Sequence, residues 1–357
     1  MKFTANQAGL KAEVRGDLPG RERVVTATVA ESFGGGDGSV RLVLGPLQFD
    51  AEANRLQQWL PGLPNSFDLT AGRIMASADV RWIPSQSKES ASVVLRPGKI
   101  NIQADQLSAV VQGMAIQGIN TTMDFDLQGF EQVRTSQPAT VNVAAIQTGV
   151  ALTNVSVTAD LQWLLSDSWP VLDLKAIQAG LFGGSVTSPG LHLDLAKPPH
   201  RLVLSLRRCD LAKLLSLEQQ KGLQGTGLLN GTIPLTVTAK GVSVKDGTVE
   251  AEAPGGVIRY QPSPESAGLL TDADSSVKLV AQALSNFQYT VLRAGVQYAE
   301  DGVLQLAARL EGRNPDMKKS PPIHFNVTVQ ENIPALLQSL RLVQDIEESL
   351  QGKMQRR

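Results

Sequence analysis

The residue types that most often carry catalysis or bind metals are few and scattered in this chain. Its three histidines, His192, His200 and His324, lie far apart, and none has a second ligand at metal-binding spacing. The single cysteine, Cys209, excludes an intramolecular disulfide and any site built from several thiolates. Two arginines directly before Cys209 could lower the pKa of the thiol, but a structural or incidental free thiol is the stronger interpretation.

The short motifs also fail to predict an active site. Residues 225–231 (GTGLLNG) resemble a dinucleotide-binding fingerprint, but the glycine spacing differs and the segment follows a predicted helix and precedes a predicted strand, which reverses the required order. The sequence contains no GxSxG elbow, Walker A loop or HExxH motif. Asp124 and Asp126 share one face of a predicted strand, where we expect solvation. We therefore predict a protein that is not an enzyme and binds no metal or cofactor.

Composition narrows the remaining classes. Of 357 residues, 42% are hydrophobic and 19% are charged, which is too apolar for an intrinsically disordered chain. The 33 basic and 34 acidic residues give a net charge of -1, so we expect no nucleic-acid partner. Only 4% of the residues are aromatic, which disfavours a carbohydrate-binding β protein.

The first residues leave two interpretations open. No apolar run is long enough to span a membrane, and the opening MKFTANQAGLKAEVRGDLPG lacks the hydrophobic region of a signal peptide. Taken alone, these features indicate a soluble cytoplasmic protein. A piece of a longer, membrane-anchored protein would show the same features, because a strand-like pattern begins almost at once.

The elements that would position any site are mostly β-strands. Apolar and polar residues alternate with a period of two along most of the chain, for example over 119–127 and 155–163. Turn signals at 36–38, 246–247 and 301–302 separate such runs, and we expect about eighteen strands, mainly antiparallel. Helices are predicted over 210–220 with Asp210 as the cap, over 272–284 and, as the longest, over 333–350.

Long alternating strands with few helices predict a mainly β fold, an elongated, curled antiparallel sheet whose single apolar face forms a hydrophobic groove. An open apolar face of that size would aggregate unless it were folded over or filled by a ligand. From their shared strand phase we predict that one continuous apolar surface is lined by Thr121, Met123, Phe125, Val155, Val157, Leu161, Leu202, Leu204, Ile233, Leu235, Leu304 and Leu306.

The segment 209–351 carries ordered motifs that resemble a known family. They are CDLAKLLSLEQQKGLQGTGLLNGTIPLTV, VKDGTVEAEAPGGVIRY, NFQYTVLRAGVQYAEDGVLQLAARLEGRNPD and IHFNVTVQENIPALLQSLRLVQDIEESLQ. Together they resemble the C-terminal region of the YdbH family, AsmA-like bacterial proteins that sometimes carry a dicarboxylate-transport label. The preceding residues match only as AsmA-like alternation, as in GSVRLVLGPLQFDAEANRL.

The resemblance implies a periplasmic protein that is anchored in the inner membrane and guides phospholipid toward the outer membrane along a folded β-groove. It also implies a small outer-membrane lipoprotein as partner. The dicarboxylate label finds no support in the residues, since no cationic pocket is visible. Because this sequence shows no anchor, we expect a truncated chain, divided into a β-groove segment (1–207), a family-specific β region (208–332) and an amphipathic helix with a basic tail (333–357).

Two sets of residues receive specific roles. The family's PGGxIRY segment is carried by Gly255, Gly256, Ile258, Arg259 and Tyr260, where paired glycines favour a structural bend rather than catalysis. A strand is predicted over 323–330, just before the terminal helix. Its inward-facing side chains are those of Ile323, Phe325, Val327 and Val329. If this strand, or its neighbour over 303–310, ends the sheet, its free edge would accept a strand of the lipoprotein. The alternative is that the terminal helix covers the edge.

Three functions remain open at this point. The favoured hypothesis is a passive conduit for phospholipid acyl chains. The second is a non-catalytic structural envelope protein whose groove closes into a dry core, and the third is an enzyme or a carbohydrate-binding β protein. Bound phospholipid would distinguish the first from the second.

Overall fold

Alternating apolar and polar residues form β-strands through most of the chain in the computed structural model of the protein. The structure describes residues 2–6, 9–18, 21–32, 35–50, 67–84, 93–111, 114–129, 131–147, 150–217, 222–238, 240–261 and 275–336. The chain divides into a first unit, Met1–Gln147, Thr153–Ile177 and Gly190–Lys197, and a second unit, Thr148–Leu152, Gln178–Pro189 and Pro198–Arg357.

The strands up to residue 194 are β1 (Lys2–Asn6), β2 (Gly9–Leu18), β3 (Arg21–Ser32), β4 (Gly38–Asp50), β5 (Phe67–Pro84), β6 (Val93–Val111), β7 (Met114–Gln128), β8 (Gln132–Thr135), β9 (Ala139–Gln147), β10 (Ala151–Leu164), β11 (Val171–Leu181), β12 (Gly184–Ser188) and β13 (Leu191–Asp194). In the first unit, β1 to β7 form an antiparallel meander in which each strand pairs with the next. The strand β7 then pairs with both β8 and β9, β8 pairs with β10, and β11 pairs with β13.

The later strands are β14 (His200–Asp210), β15 (Leu223–Gly225), β16 (Leu228–Val237), β17 (Val242–Ala251), β18 (Gly256–Tyr260), β19 (Phe287–Tyr298), β20 (Val303–Arg313) and β21 (Pro322–Asn332). In the second unit the antiparallel order is β12, β14, β16, β17, β19, β20 and β21. The short strand β15 pairs with β18, which pairs with β19.

Helices are short in the described residues. The helix α1 (Leu211–Leu215) begins where the Asp210 carboxylate accepts a 2.8 Å hydrogen bond from the Ala212 N–H, which confirms the predicted cap. The helix α2 is Ser275–Leu284, and residues 333–336 are also helical. The rest of the predicted terminal helix lies outside the described residues. No helix in the described part of the chain has both the length and the apolar character that a membrane span requires.

The prediction of a mainly β, antiparallel fold with few helices is confirmed. The turns predicted at 36–38 and 301–302 connect β3 to β4 and β19 to β20. The turn predicted at 246–247 is wrong, because β17 continues through it as a bulge: Asp246 has a φ of +56° and the register shifts between Val244 and Gly247. An Asp-Gly pair allows the left-handed backbone that either feature needs. The division at residues 207 and 332 stays a prediction.

Candidate functional site

The first unit has a face on which aliphatic residues stand opposite one another from strand to strand. Directly paired residues of an antiparallel sheet point to the same face, so the register defines which side chains share it. One row crosses β2 to β7 and consists of Val14, Ala27, Leu42, Ala78, Ile100 and Phe125. The adjacent row crosses β3 to β7 and consists of Val25, Leu44, Ala76, Ile102 and Met123.

The opposite face of the same strands is charged. A row of alternating sign crosses β4 to β8 and consists of Arg41, Asp79, Lys99, Asp126 and Arg134. Within it, Lys99 Nζ lies 3.1 Å from Asp126 Oδ1 and Arg41 Nε lies 3.9 Å from Asp79 Oδ1. Hydrogen bonds from Lys99 and then from Ser136 lower the pKa of Asp126. The charged face is therefore suited to contact with water, whereas the aliphatic face is stabilised when it is buried.

The aliphatic face is closed at one end of the strands and open along its middle. Toward one end, Phe49, Leu69 and Leu107 belong to a buried core. The row from Val14 to Phe125 is termed the middle row. In it, Leu42 keeps 43% and Val14 keeps 37% of its accessible surface, although both lie on the apolar side. A continuous apolar row that is partly exposed can bury an apolar ligand without directional bonds, at about 0.8 kcal/mol per CH₂.

Three of the predicted lining residues lie on β7 within this face. Phe125 and Met123 pair with Ile100 and Ile102, and Thr121 pairs with Ala104 one row further along. The Thr121 hydroxyl donates a 2.9 Å hydrogen bond to the Thr140 carbonyl oxygen. Its polar atom is thus satisfied within the sheet, so the residue is compatible with an apolar surface.

The predicted residues of β10 share the same face. Val141 on β9 pairs with Thr121 and so lies on the apolar face, which places its neighbour Thr140 on the polar face. The hydroxyls of Thr140 and Thr158 are 2.9 Å apart. Thr158 is therefore on the polar face, and strand alternation directs the odd-numbered residues of β10 to the apolar face. The predicted members with this phase are Val155, Val157 and Leu161.

The other six predicted residues lie on one face of the second unit. The register aligns a row across β14, β16, β17, β19 and β20 that consists of Leu202, Leu235, Val244, Tyr298 and Leu304. In the next rows Leu204 pairs with Ile233, and Leu306 pairs with Val296. The twelve predicted residues thus form two groups of six, each on the apolar face of its own unit, and their role in lining one lipid path stays a prediction.

The four residues predicted for the partner edge also share this second apolar face, on β21. The Phe325 ring packs edge-on against the buried Phe287, with centroids 5.1 Å apart, and Ile323 packs on the same core. Val327 and Val329 remain exposed. The alternative edge, β20, is paired on both sides, whereas β21 pairs only with β20 in the part of the chain that the structure describes.

The outer edge of β21 carries a definite set of backbone groups. The Ile333 N–H donates a 3.0 Å hydrogen bond to the Gly302 carbonyl oxygen, which continues the register in which Val303 pairs with Asn332. Hydrogen-bonded pairs alternate in an antiparallel ladder, so odd-numbered residues of β21 bond to β20. The residues whose N–H and C=O groups point outward are His324, Asn326, Thr328 and Gln330.

The glycine motif lies beside the second core. Gly255 has a φ of +99°, and a Cβ there would collide with the Tyr289 carbonyl oxygen. The buried Tyr289 donates a 2.8 Å hydrogen bond from its hydroxyl to the Thr226 carbonyl oxygen, and burial raises its pKa. The residues after the glycines form β18, in which Ile258, Arg259 and Tyr260 pair with β15.

The residues that could do chemistry are not brought together. Cys209 is buried in the second core, and burial raises the pKa of its thiol, contrary to activation by the neighbouring arginines. His192 Nδ1 contacts Asp173 Oδ1 at 2.6 Å on an exposed surface. Over the described ranges, no three metal-ligating side chains group together.

Sequence reasoning missed two parts of the exposed apolar surface. Among the residues of the middle row that precede β7, Leu42 lies within the alternating run GSVRLVLGP and was detectable from that pattern. The second part is formed by the end of β10 and the loop after it, where Trp163 and Trp169 are both exposed. Its signal in the sequence is the unusual density of large apolar residues in WLLSDSW.

Comparison with known proteins gives one match. A family model described as "YdbH-like: Intermembrane phospholipid transport protein YdbH" matches residues 2–355. No curated protein and no solved structure matches the chain. The family match extends over nearly the whole chain, well beyond the segment 209–351 that carries the quoted motifs.

Proposed function

The chain belongs to the YdbH-like family of intermembrane phospholipid transport proteins, and from that premise we propose that its open apolar faces hold phospholipid acyl chains during transfer. The observation that carries this proposal is the middle row of the first unit. It is apolar over six strands, with aliphatic residues on five of them and Phe125 on the sixth, and it is partly exposed, while the opposite face bears paired charges. An acyl chain is the ligand whose burial needs no polar partner.

Transfer along such a face is passive. Aliphatic side chains offer no directional bond that would fix an acyl chain at one position, so a chain can shift from row to row at nearly constant free energy. The charged headgroup stays in water, because its desolvation without a partner is costly. The direction of movement is then set by a gradient or by an external driver, and no residue of this chain needs to act as a catalyst.

A structural envelope protein with a closed, dry core is the second candidate. The buried clusters around Phe49 in the first unit and around Phe287 in the second support it, since in both clusters side chains bury one another. The exposure of Leu42 and Val14 in the middle row opposes it, because a dry core would bury central aliphatic residues first.

The proposal includes a place and a partner. A protein that moves phospholipid between membranes works in the periplasm, and we propose that the full-length protein reaches the inner membrane through an N-terminal anchor. We further propose that a small outer-membrane lipoprotein adds a strand to β21. The outward amides of Asn326 and Thr328, and the exposed Val327 beside them, form a strand edge that pairs with no other described strand and suits β-augmentation.

Lipid loading of the Val157→Arg variant tests the acyl-chain proposal. The new guanidinium would lie among acyl chains on the apolar face of β10, so bound phospholipid should decrease several-fold. The fold should survive, because an open face lets a long charged side chain reach water. Native mass spectrometry measures the phospholipid that remains bound, and the melting temperature measures the fold.

Ser156→Arg is the matched control, since it places the same side chain one residue away on the polar face. This control should keep both its lipid and its melting temperature. Global unfolding of Val157→Arg alone would support the dry core instead. A folded Val157→Arg variant with undiminished phospholipid would refute acyl-chain binding at this face.

A further inference from the structure

An unusual cluster of large apolar side chains is exposed on the tryptophan loop, residues 163–170, which comprises the last two residues of β10 and the connection from β10 to β11. Trp169 keeps 59% and Trp163 keeps 37% of its accessible surface, and the two leucines after Trp163 are also exposed. The chain has four tryptophans, and two of them lie within residues 163–169. Single exposed apolar residues need no explanation, but four in one loop mark an interaction surface.

The loop is held in place by its own hydrogen bonds. The Trp163 Nε1–H donates to the Asp167 carbonyl oxygen at 3.0 Å, and the Asp167 N–H donates to the Leu164 carbonyl oxygen at 2.8 Å. The Leu165 N–H donates to the Glu131 carbonyl oxygen at 2.8 Å, which ties the loop to the start of β8. The apolar side chains are thus presented by an ordered backbone, and the indole N–H of Trp163 is already satisfied.

The cluster continues the apolar face of the first unit. Trp163 pairs with Val133, and Val133 pairs with Leu127, which has the same strand phase as Phe125. The buried core around Phe49 closes the opposite end of these strands. The loop therefore stands at the end of the face opposite to this core.

The charge of the loop indicates which kind of lipid surface it would bind. Residues 163–170 (WLLSDSWP) contain one acidic residue, Asp167, and no basic residue, so attraction to anionic headgroups is absent. Indole rings with exposed faces, beside leucines, match the interface of a bilayer, where one part of the side chain is apolar and the other wet. We propose that this loop inserts into the surface of a zwitterionic phospholipid bilayer.

This bilayer contact is a different event from acyl-chain binding on the face. The loop would bring this end of the first unit to a lipid source, whereas the face would hold lipid after transfer. Each can therefore be measured, and can fail, without the other.

Binding of the full chain to phosphatidylcholine vesicles tests the proposal. Flotation should recover the protein with the vesicles, and vesicles with brominated acyl chains should quench its tryptophan fluorescence. Trp169→Ser and Leu165→Ser should each weaken partitioning roughly ten-fold, because each removes one large apolar side chain from the bilayer. Raising the salt concentration should leave binding unchanged, since no basic residue contributes.

Leu279→Ser is the matched control, because Leu279 in α2 is 56% exposed but lies outside the loop. This variant should bind vesicles like the parent. If the parent does not float, or if both loop variants float as well as the parent, the bilayer proposal is wrong. Loop variants that alter only the sedimentation of the protein without vesicles would identify a self-association surface and overturn the proposal as well. Phospholipid retained in the same preparations reports separately on the face.

Discussion

Asp126 shows how single residues keep one face of the first unit in water. Its carboxylate accepts hydrogen bonds from Lys99 at 3.1 Å and from the Ser136 hydroxyl at 3.0 Å, and Arg134 lies 3.8 Å away. These contacts favour the charged form and lower its pKa below the ordinary value of 3.8. A group whose pKa is lower in the folded state stabilises the fold above its unfolded-state pKa and loses that contribution as the pH falls through the folded-state pKa.

We therefore predict a pH-dependent effect of Asp126→Asn. At about pH 6 the variant should be less stable than the parent, and at about pH 2 the difference should be smaller, because the parent's carboxylate is protonated as the pH falls through its lowered folded-state pKa. Urea unfolding at both pH values measures it. Asp79→Asn, which removes the more distant 3.9 Å contact with Arg41, is the control and should show a smaller change. A penalty for Asp126→Asn that is equal at both pH values would contradict the electrostatic origin.

For single residues such as Asp126, the sequence predicted which face of the strand they occupy but not which side chains they contact. Alternation alone assigns Asp126 to the polar side of β7, because neighbouring odd residues are apolar. Its partners Lys99 and Arg134 lie on β6 and β8, and their contact depends on the pairing register of these strands, which bulges shift between β6 and β7. The buried state of Cys209 was equally unpredictable, since it follows from packing against Leu229 and Phe287.

Among the elements, β21 offers the sharpest test, because its outward and inward backbone groups are distinguishable. Asn326→Pro or Thr328→Pro removes an amide that points away from β20, so the pairing with β20 keeps its donors while the free edge loses one. Binding of the small outer-membrane lipoprotein should weaken about ten-fold or more, since an interrupted edge no longer templates a full strand. Titration of the lipoprotein against folded variants measures this.

Asn326→Ala and Thr328→Ala are the controls, as they change the same side chains and retain the amides. They should bind the lipoprotein like the parent. Folded proline variants with parental affinity would exclude this edge as the docking site. Equal losses from alanine and proline would instead indicate recognition through side chains.

Element type followed from the sequence more reliably than element continuity. Period-two alternation identified the strands, because an extended chain cannot bury one side without it. It could not distinguish a turn from a bulge at Asp246, where the backbone turns left-handed within β17. It also could not show that Gly255 makes room for the backbone of Tyr289, since that approach joins segments far apart in the chain.

For the whole molecule, the sequence predicted apolar faces but not which parts of them are covered. Leu42 and Phe49 share one side of β4 because the register shifts between Leu44 and Leu47, yet Leu42 is exposed and Phe49 is buried. The difference comes from neighbours on other strands, Leu69 and Leu107 in the case of Phe49, and no local rule supplies them. The choice between a lipid-filled and a dry interior therefore has to be tested on the intact protein.

Removal of bound lipid distinguishes a lipid-filled interior from a dry one. If acyl chains cover the open rows, the purified protein gains stability from its ligand, by about 2.7 kcal/mol when free lipid is at a hundred times its dissociation constant. Stripping with mild detergent and dialysis should then lower the melting temperature by several degrees and increase the binding of an apolar fluorescent dye. Adding phosphatidylcholine back should reverse both changes, which separates loss of ligand from damage to the fold. A dry interior has no ligand to lose, so an unchanged melting temperature and unchanged dye binding after stripping would rule out the conduit and favour the structural protein.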